Sequence, residues 1–260
     1  MNTNNKPKFE FTDTPNVQTV YNIKENAKKK YAFWYCVHDR INELALNVAC
    51  FNRSKYFRDN FDIIVTCNWR NDDERVIDVC KRFEANRILL TFDSKNEGSY
   101  LAGPMEQGGY GFHHLYGYEL ICQLHADVYI MNDKPTIRFI KDFENRPLDK
   151  RCDVYAWPMP EGKGRPEWKE LAYDFWFLNN PSPRTNIYKN WKKYALESEH
   201  PWGEPFLWDA INTFNLSLGY LDRGQEAGMN GKYESPSGVI HTKNFSHAIN
   251  IFNQGKIITC

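Results

Sequence analysis

The chain has no surplus of either charge: 33 Lys and Arg face 33 Asp and Glu over 260 residues, a formal net charge of zero. Without excess positive charge there is no general attraction to a nucleic-acid backbone or to an anionic membrane surface, so neither is an expected partner. No run of about 18 apolar residues occurs, so no integral membrane segment is expected. The first residues, Met1 to Thr14, are polar and lack the apolar core of an export signal, so the chain reads as soluble, unexported and cytoplasmic. Seven cysteines are present (Cys36, Cys50, Cys67, Cys80, Cys122, Cys152 and Cys260), an odd number with no CxxC pair, which argues for buried free thiols rather than a disulfide framework or a zinc site. Phosphate-binding glycines are missing too. The turn after the first strand-like run reads His38-Asp39-Arg40-Ile41, which excludes a dinucleotide fingerprint and disfavours S-adenosylmethionine. There is no GxxxxGK[ST] loop for ATP or GTP. A nucleotide site, if present, has to be built from side chains at strand ends.

What the chain does have is 42% hydrophobic and 15% aromatic residues, enough to fill one large core. After a polar leader, residues 1–30, the run Tyr31 to Val37 is continuously apolar and predicts a buried strand. Ile41, Leu44, Ala45, Val48 and Phe51 recur at helical spacing, and Phe61 to Cys67 is a second strand. Asn71, Asp72 and Asp73 offer a cap and an acidic first turn to a helix carrying Val76, Val79, Cys80 and Phe83, and Arg87 to Asp93 is a third strand. These alternating units predict an α/β fold around a mostly parallel sheet with right-handed crossovers.

Residues 94–111, rich in Gly, Ser, Asn and Tyr, read as a long loop over the strand ends. Tyr116, Leu120 and Leu124 then suggest a helix from Phe112 to Ala126, followed by a strand from Asp127 to Asp133. In an open α/β sheet ligands bind at the carboxyl ends of strands, which singles out Asp133. Pro135 opens a helix carrying Ile137, Ile140 and Phe143. Strand-like Val154 to Trp157 and Asp174 to Leu178 follow, then helices around 187–195 and 204–214. The simplest partition is a nucleotide-binding half, 31–145, and an acceptor-binding half of the same domain, 146–260.

Four places carry a resemblance: Tyr31 to Arg40, Phe92-Asp93, Asp127 to Asp133, and a late Gly238-Val239-Ile240-His241 strand. In order and character they resemble the GT-A class of nucleotide-sugar glycosyltransferases over roughly residues 30–245. The resemblance implies a GT-A-like (Rossmann-like) sheet flanked by helices, with an acceptor-side C-terminal half. It implies a nucleoside-diphosphate sugar as donor and a glycan or glycoprotein as acceptor. Val37, His38, Arg40 and Asp93 would face the nucleotide, Asp133 the metal or the donor ribose, and His241 the same metal or the diphosphate. That metal would be Mn2+ or Mg2+, which can neutralise a departing diphosphate. The family's Asp-x-Asp is met at Met131-Asn132-Asp133-Lys134-Pro135 by one carboxylate, and Lys134 beside it is a second candidate for the diphosphate.

His200-Pro201-Trp202-Gly203-Glu204-Pro205-Phe206-Leu207-Trp208-Asp209 resembles the acidic helix start that many such enzymes place beside the acceptor. Inverting transfer needs a general base there, with Glu204 the first candidate and Asp209 the second; the dipole of a helix start would equally favour Glu204 without catalysis. Trp157, Trp168, Trp202 and Trp208 could stack on acceptor sugars, whereas mid-strand Trp176 reads as core. His113, His114 and His125 read as structural or surface residues. Two other classes stay open: a catalytically inactive sugar-nucleotide or glycan-binding module, and a nucleotide-sugar hydrolase or nucleotidyltransferase-like enzyme on a similar sheet.

Overall fold

The computed structural model describes residues 18–37, 40–67, 74–93, 115, 117–158, 171–180, 211–212, 215–221 and 238–253. Its centre is β2 (Tyr31–Val37), every residue of which is buried. A strand this uniformly apolar has no face to offer water and is stable only between neighbours. It pairs in parallel with β3 (Phe61–Cys67) on one edge and with β5 (Leu120–His125) on the other, and β4 (Ile88–Asp93) adds in parallel to β3.

Antiparallel pairs extend both sides, and one further parallel pair closes the far edge. The eight-stranded order is β1-β4-β3-β2-β5-β8-β7-β9, with β1 (Gln18–Lys24) on β4, and β8 (Leu171–Asn179), β7 (Val154–Pro158) and β9 (Leu218–Tyr220) beyond β5. A separate antiparallel pair joins β6 (Val128–Ile130) to β10 (Val239–His241). The helices are α1 (Ile41–Arg53), α2 (Lys55–Asn60), α3 (Glu74–Lys81), α4 (Asp133–Asn145) and α5 (Phe245–Asn253).

Strand alternation divides the interior. Tyr31, Phe33, Tyr35 and Val37 of β2 enter the larger core with Leu44, Val48 and Phe51 of α1, Phe57 of α2 and Val76 of α3. Phe33 stacks on Phe61 at 4.3 Å between centroids. Ala32, Trp34 and Cys36 face the other way, into a smaller core with Ile121, Trp176 and Leu178. Helix α1 is apolar on two sides because it is covered twice: Leu46 and Cys50 pack with Tyr129 against Ala248 of α5.

Three expectations are corrected. Part of the polar leader is the edge strand β1, whose Tyr21 packs edge-on against Phe92. The helix expected over 112–126 is in its second half β5. Leu120 and Leu124 are four apart, a spacing that places residues on one face of a strand as readily as on one face of a helix. The flanking Ile121 and Gln123 are buried on the opposite face, so the segment is covered on both sides. The single strand expected from Asp127 to Asp133 is the short β6, after which Asn132 caps α4 by accepting from the Lys134 amide at 3.1 Å.

Two interior details have measurable consequences. Gly238 has φ of +68°, and its carbonyl accepts from the Met131 and Asn132 amides at 2.9 and 3.1 Å, which clips β10 to β6. A Cβ there would lie 2.3 Å from the Asn132 carbonyl oxygen. Gly238→Ala should therefore cost about 1–3 kcal/mol in urea-unfolding stability; an unchanged midpoint would show that the turn is not constrained as described.

Asp62, fully buried on β3, accepts from the Lys29 amide at 2.8 Å and the Tyr118 hydroxyl at 3.0 Å through Oδ2, while Oδ1 has no partner among the described residues. Burial pushes its carboxyl above the usual range, against the lowering effect of those hydrogen bonds and of Arg87 and Lys29. The folded state thus holds this proton more tightly than the unfolded chain does. Its stabilising contribution is complete below the unfolded value of about 3.9 and is lost as pH rises through the raised native value. Compared with Asp62→Asn, which cannot ionise, the native protein should lose relative stability across that window, at up to about 1.4 kcal/mol for each pH unit crossed. Parallel melting of the two proteins across the acid range would contradict it.

Candidate functional site

The chain passes from β2 through β3 to β4 in one direction across the sheet and then returns to the far side of β2 as β5. At such a reversal the connections leave the carboxyl ends of the two central strands in opposite directions, and a crevice opens between them. Here the crevice lies between the ends of β2 and β5. The Ala126 amide donates to the Cys36 carbonyl at 3.2 Å and the Asn47 side chain of α1 donates to the Ala126 carbonyl at 2.8 Å, so the floor is tied to both strands and to α1.

Asp127 stands directly after this floor. Its Oδ2 lies 3.0 Å from Arg40 Nη1 and 3.5 Å from His241 Nε2, joining the end of β2, the end of β5 and the end of β10. The backbone repeats the link, because the Thr242 amide donates to the Asp127 carbonyl at 3.1 Å. Burial would push the Asp127 carboxyl up, but the His241 hydrogen bond and the charges of His241, His125 and Arg40 together hold it below the usual range. It is an anion surrounded by cationic or potentially cationic groups. A second carboxylate, Glu43 in the first turn of α1, lies 3.9 Å from Arg40 Nη1.

The expected residues fall in several places. Arg40 and His241 reach the crevice, and Val37 ends β2 there with its side chain fully buried in the larger core. Asp93 ends β4, with only its backbone described. Asp133 does not stand at the crevice: it opens α4, and its carboxylate accepts from Ser54, the capping residue of α2. His241 pairs with Val128 and Val239 with Ile130, so Asp133, three residues past Ile130, lies beyond the opposite end of that ladder from His241. The two cannot share a metal in this arrangement. Lys134 is exposed on the first turn of α4. Trp157, expected to meet an acceptor sugar, is instead core, buried with its ring 4.8 Å from Phe175, while Trp176 is core as expected, edge-on to Trp34. His38, Glu204, Asp209, Trp168, Trp202 and Trp208 lie outside the described residues.

Sequence reasoning misses two residues: Asp127, whose place before an apolar run reads as the buried start of a strand, and His125, which reads as structural. Their signal is His125-Ala126-Asp127, a polar-small-acidic triplet directly after an apolar run.

The described donors around Asp127 do not by themselves fit a divalent cation. Among the described residues no three His, Cys, Asp or Glu side chains form a metal-binding group. The one carboxylate oxygen facing His241 is already paired with a guanidinium at 3.0 Å. A hard cation needs several oxygen ligands, and one placed on that oxygen would meet repulsion from Arg40 of about 4 kcal/mol per unit charge at ~4 Å and an effective dielectric of ~20.

No protein-family model and no curated protein sequence matches the chain. Solved structures do. The galactosyltransferase LgtC in complex with donor and acceptor sugar analogues is 10% identical with a TM-score of 0.54, over 86% of this chain and 95% of that one. Mouse xyloside xylosyltransferase 1 is 10% identical with a TM-score of 0.51, over 82% and 97%. The 4-diphosphocytidyl-2C-methyl-D-erythritol synthase of Anaerococcus prevotii is 14% identical with a TM-score of 0.51, over 87% and 96%. At these identities the likeness is one of fold: the chain has the GT-A-like α/β architecture on which sugar-transferring and nucleotidyl-transferring enzymes are built.

Proposed function

We propose that the protein is a glycosyltransferase that moves a sugar from a nucleoside-diphosphate donor to a hydroxyl of a glycan or glycoprotein. The observation that carries the reading is the Arg40–Asp127–His241 cluster at the crevice between β2 and β5. In open α/β sheets ligands bind at such a reversal, and a leaving diphosphate needs fixed positive charge where its own charge develops. Arg40 and His241 supply donors to it, and Asp127 holds both in place. Glu204, with Asp209 behind it, is proposed as the base that accepts the acceptor proton. A nucleotidyltransferase is the second reading, favoured by the 4-diphosphocytidyl-2C-methyl-D-erythritol synthase that shares the fold.

Release of UDP or GDP from nucleotide sugars, measured with and without a mixed glycan acceptor pool, separates the readings. Acceptor-dependent release supports the transferase. Acceptor-independent release indicates hydrolysis, and pyrophosphate release from CTP with a sugar or polyol phosphate indicates nucleotidyl transfer. On the transferase reading, Asp127→Asn should lower kcat/KM about 100-fold or more, by loosening Arg40 and His241 together. Glu204→Gln should lower kcat about 100-fold or more while leaving donor affinity within about threefold. A Glu204→Gln protein of native kcat would remove that residue from the chemistry.

A further inference from the structure

The guanidinium at the crevice is only partly used. Among the described residues the ion pairs of the Arg40 guanidinium run through Nη1, to Asp127 at 3.0 Å and to Glu43 at 3.9 Å. Its Nε and Nη2 hydrogens point along the other edge of the fork, on a side chain about one third exposed. That edge has the geometry for two parallel hydrogen bonds to a phosphate. Arg40 also occupies the capping position of α1, a thirteen-residue helix, with no side-chain hydrogen bond closing the helix end. The first amides of α1 therefore lie beside the guanidinium, where a helix end favours an anion.

A second observation falls on β6, two residues past Asp127. The hydroxyl of Tyr129, a residue with no exposed surface, has no hydrogen-bond partner among the described residues. Its ring packs with Leu46 and Cys50 of α1, the helix that Arg40 caps, and with Ala248 of α5. An unmatched buried hydroxyl two residues past Asp127, on a ring packed against the helix that Arg40 caps, marks a place where a polar partner is missing.

Resting on the nucleotide-sugar reading above, we infer that this site takes the donor diphosphate directly on the Nε and Nη2 edge of Arg40 and the start of α1, without a divalent cation. His241 and His125 border the same charge from the β5 and β10 side. Asp127 then positions these groups through its pairing with Arg40 and His241, and does not act as a metal ligand.

Calorimetric titration of the full chain with UDP and with GDP, in EDTA and again in manganese, tests this. The expected result is binding of one of the two with affinities that agree within about threefold in the two buffers. Arg40→Gln, which keeps a donor for Asp127 but loses the charged fork, should weaken it about thirtyfold or more. Arg40→Lys should fall between, since it keeps charge without the fork. Circular dichroism melts of both variants verify that the fold is retained. Binding that requires manganese, or that survives Arg40→Gln in a folded protein, overturns the inference and leaves the nucleotide-sugar reading standing. Absence of binding to either nucleotide in both buffers overturns that reading and the inference with it.

Discussion

Parallel pairing of β2 along both of its edges is the constraint on which the rest of the structure depends. A strand with seven consecutive buried residues must be covered on both faces and bonded on both sides, and the sequence meets this with β3 on one edge and β5 on the other. Because β5 arrives from across the sheet, the crevice at the ends of the two strands follows from connectivity rather than from any special loop. Arg40 and Asp127 are each placed within a few residues of those strand ends, so their meeting follows from the same geometry.

Two layers support that crevice unequally. The face toward α1, α2 and α3 is aromatic and closely packed, with Phe33, Phe51, Phe57 and Phe61 in mutual ring contact. The opposite face carries a polar row near the carboxyl ends. Trp34 donates to Thr66 at 3.0 Å and Gln123 to the Cys36 sulfur at 3.4 Å. Burial raises the Cys36 thiol to about 12 despite hydrogen bonds from Gln123 and Thr66 to its sulfur, so it stays protonated and serves packing rather than reactivity.

Much of the parallel core is legible because its strands are long apolar runs separated by helical patterns with caps. Tyr31 to Val37, Phe61 to Cys67 and the α1 face of Leu44, Val48 and Phe51 stand where their patterns put them. The site is less legible, and one ambiguity accounts for most of it. Leu120 and Leu124 fit both periods, and reading them as a helix moves the ligand end of the sheet from Asp127 to Asp133. Edge strand β1 is illegible because Asn22 and Lys24 make it polar, as an edge tolerates. The meeting of residue 241 with residue 127 is a long-range pairing through β6 and β10, which no local pattern announces.

That long-range pairing sets an order of events in synthesis. Arg40, His125 and Asp127 emerge from the ribosome while β10 and α5 are still unmade, and the parallel strands can already fold. Until residues 238–253 follow, β6 has no partner strand, the apolar Leu46, Cys50 and Tyr129 lack the cover of Ala248, and Asp127 lacks His241. A nascent chain would thus carry a folded sheet with an incomplete charge cluster, so the site is finished only as one of the last described elements docks.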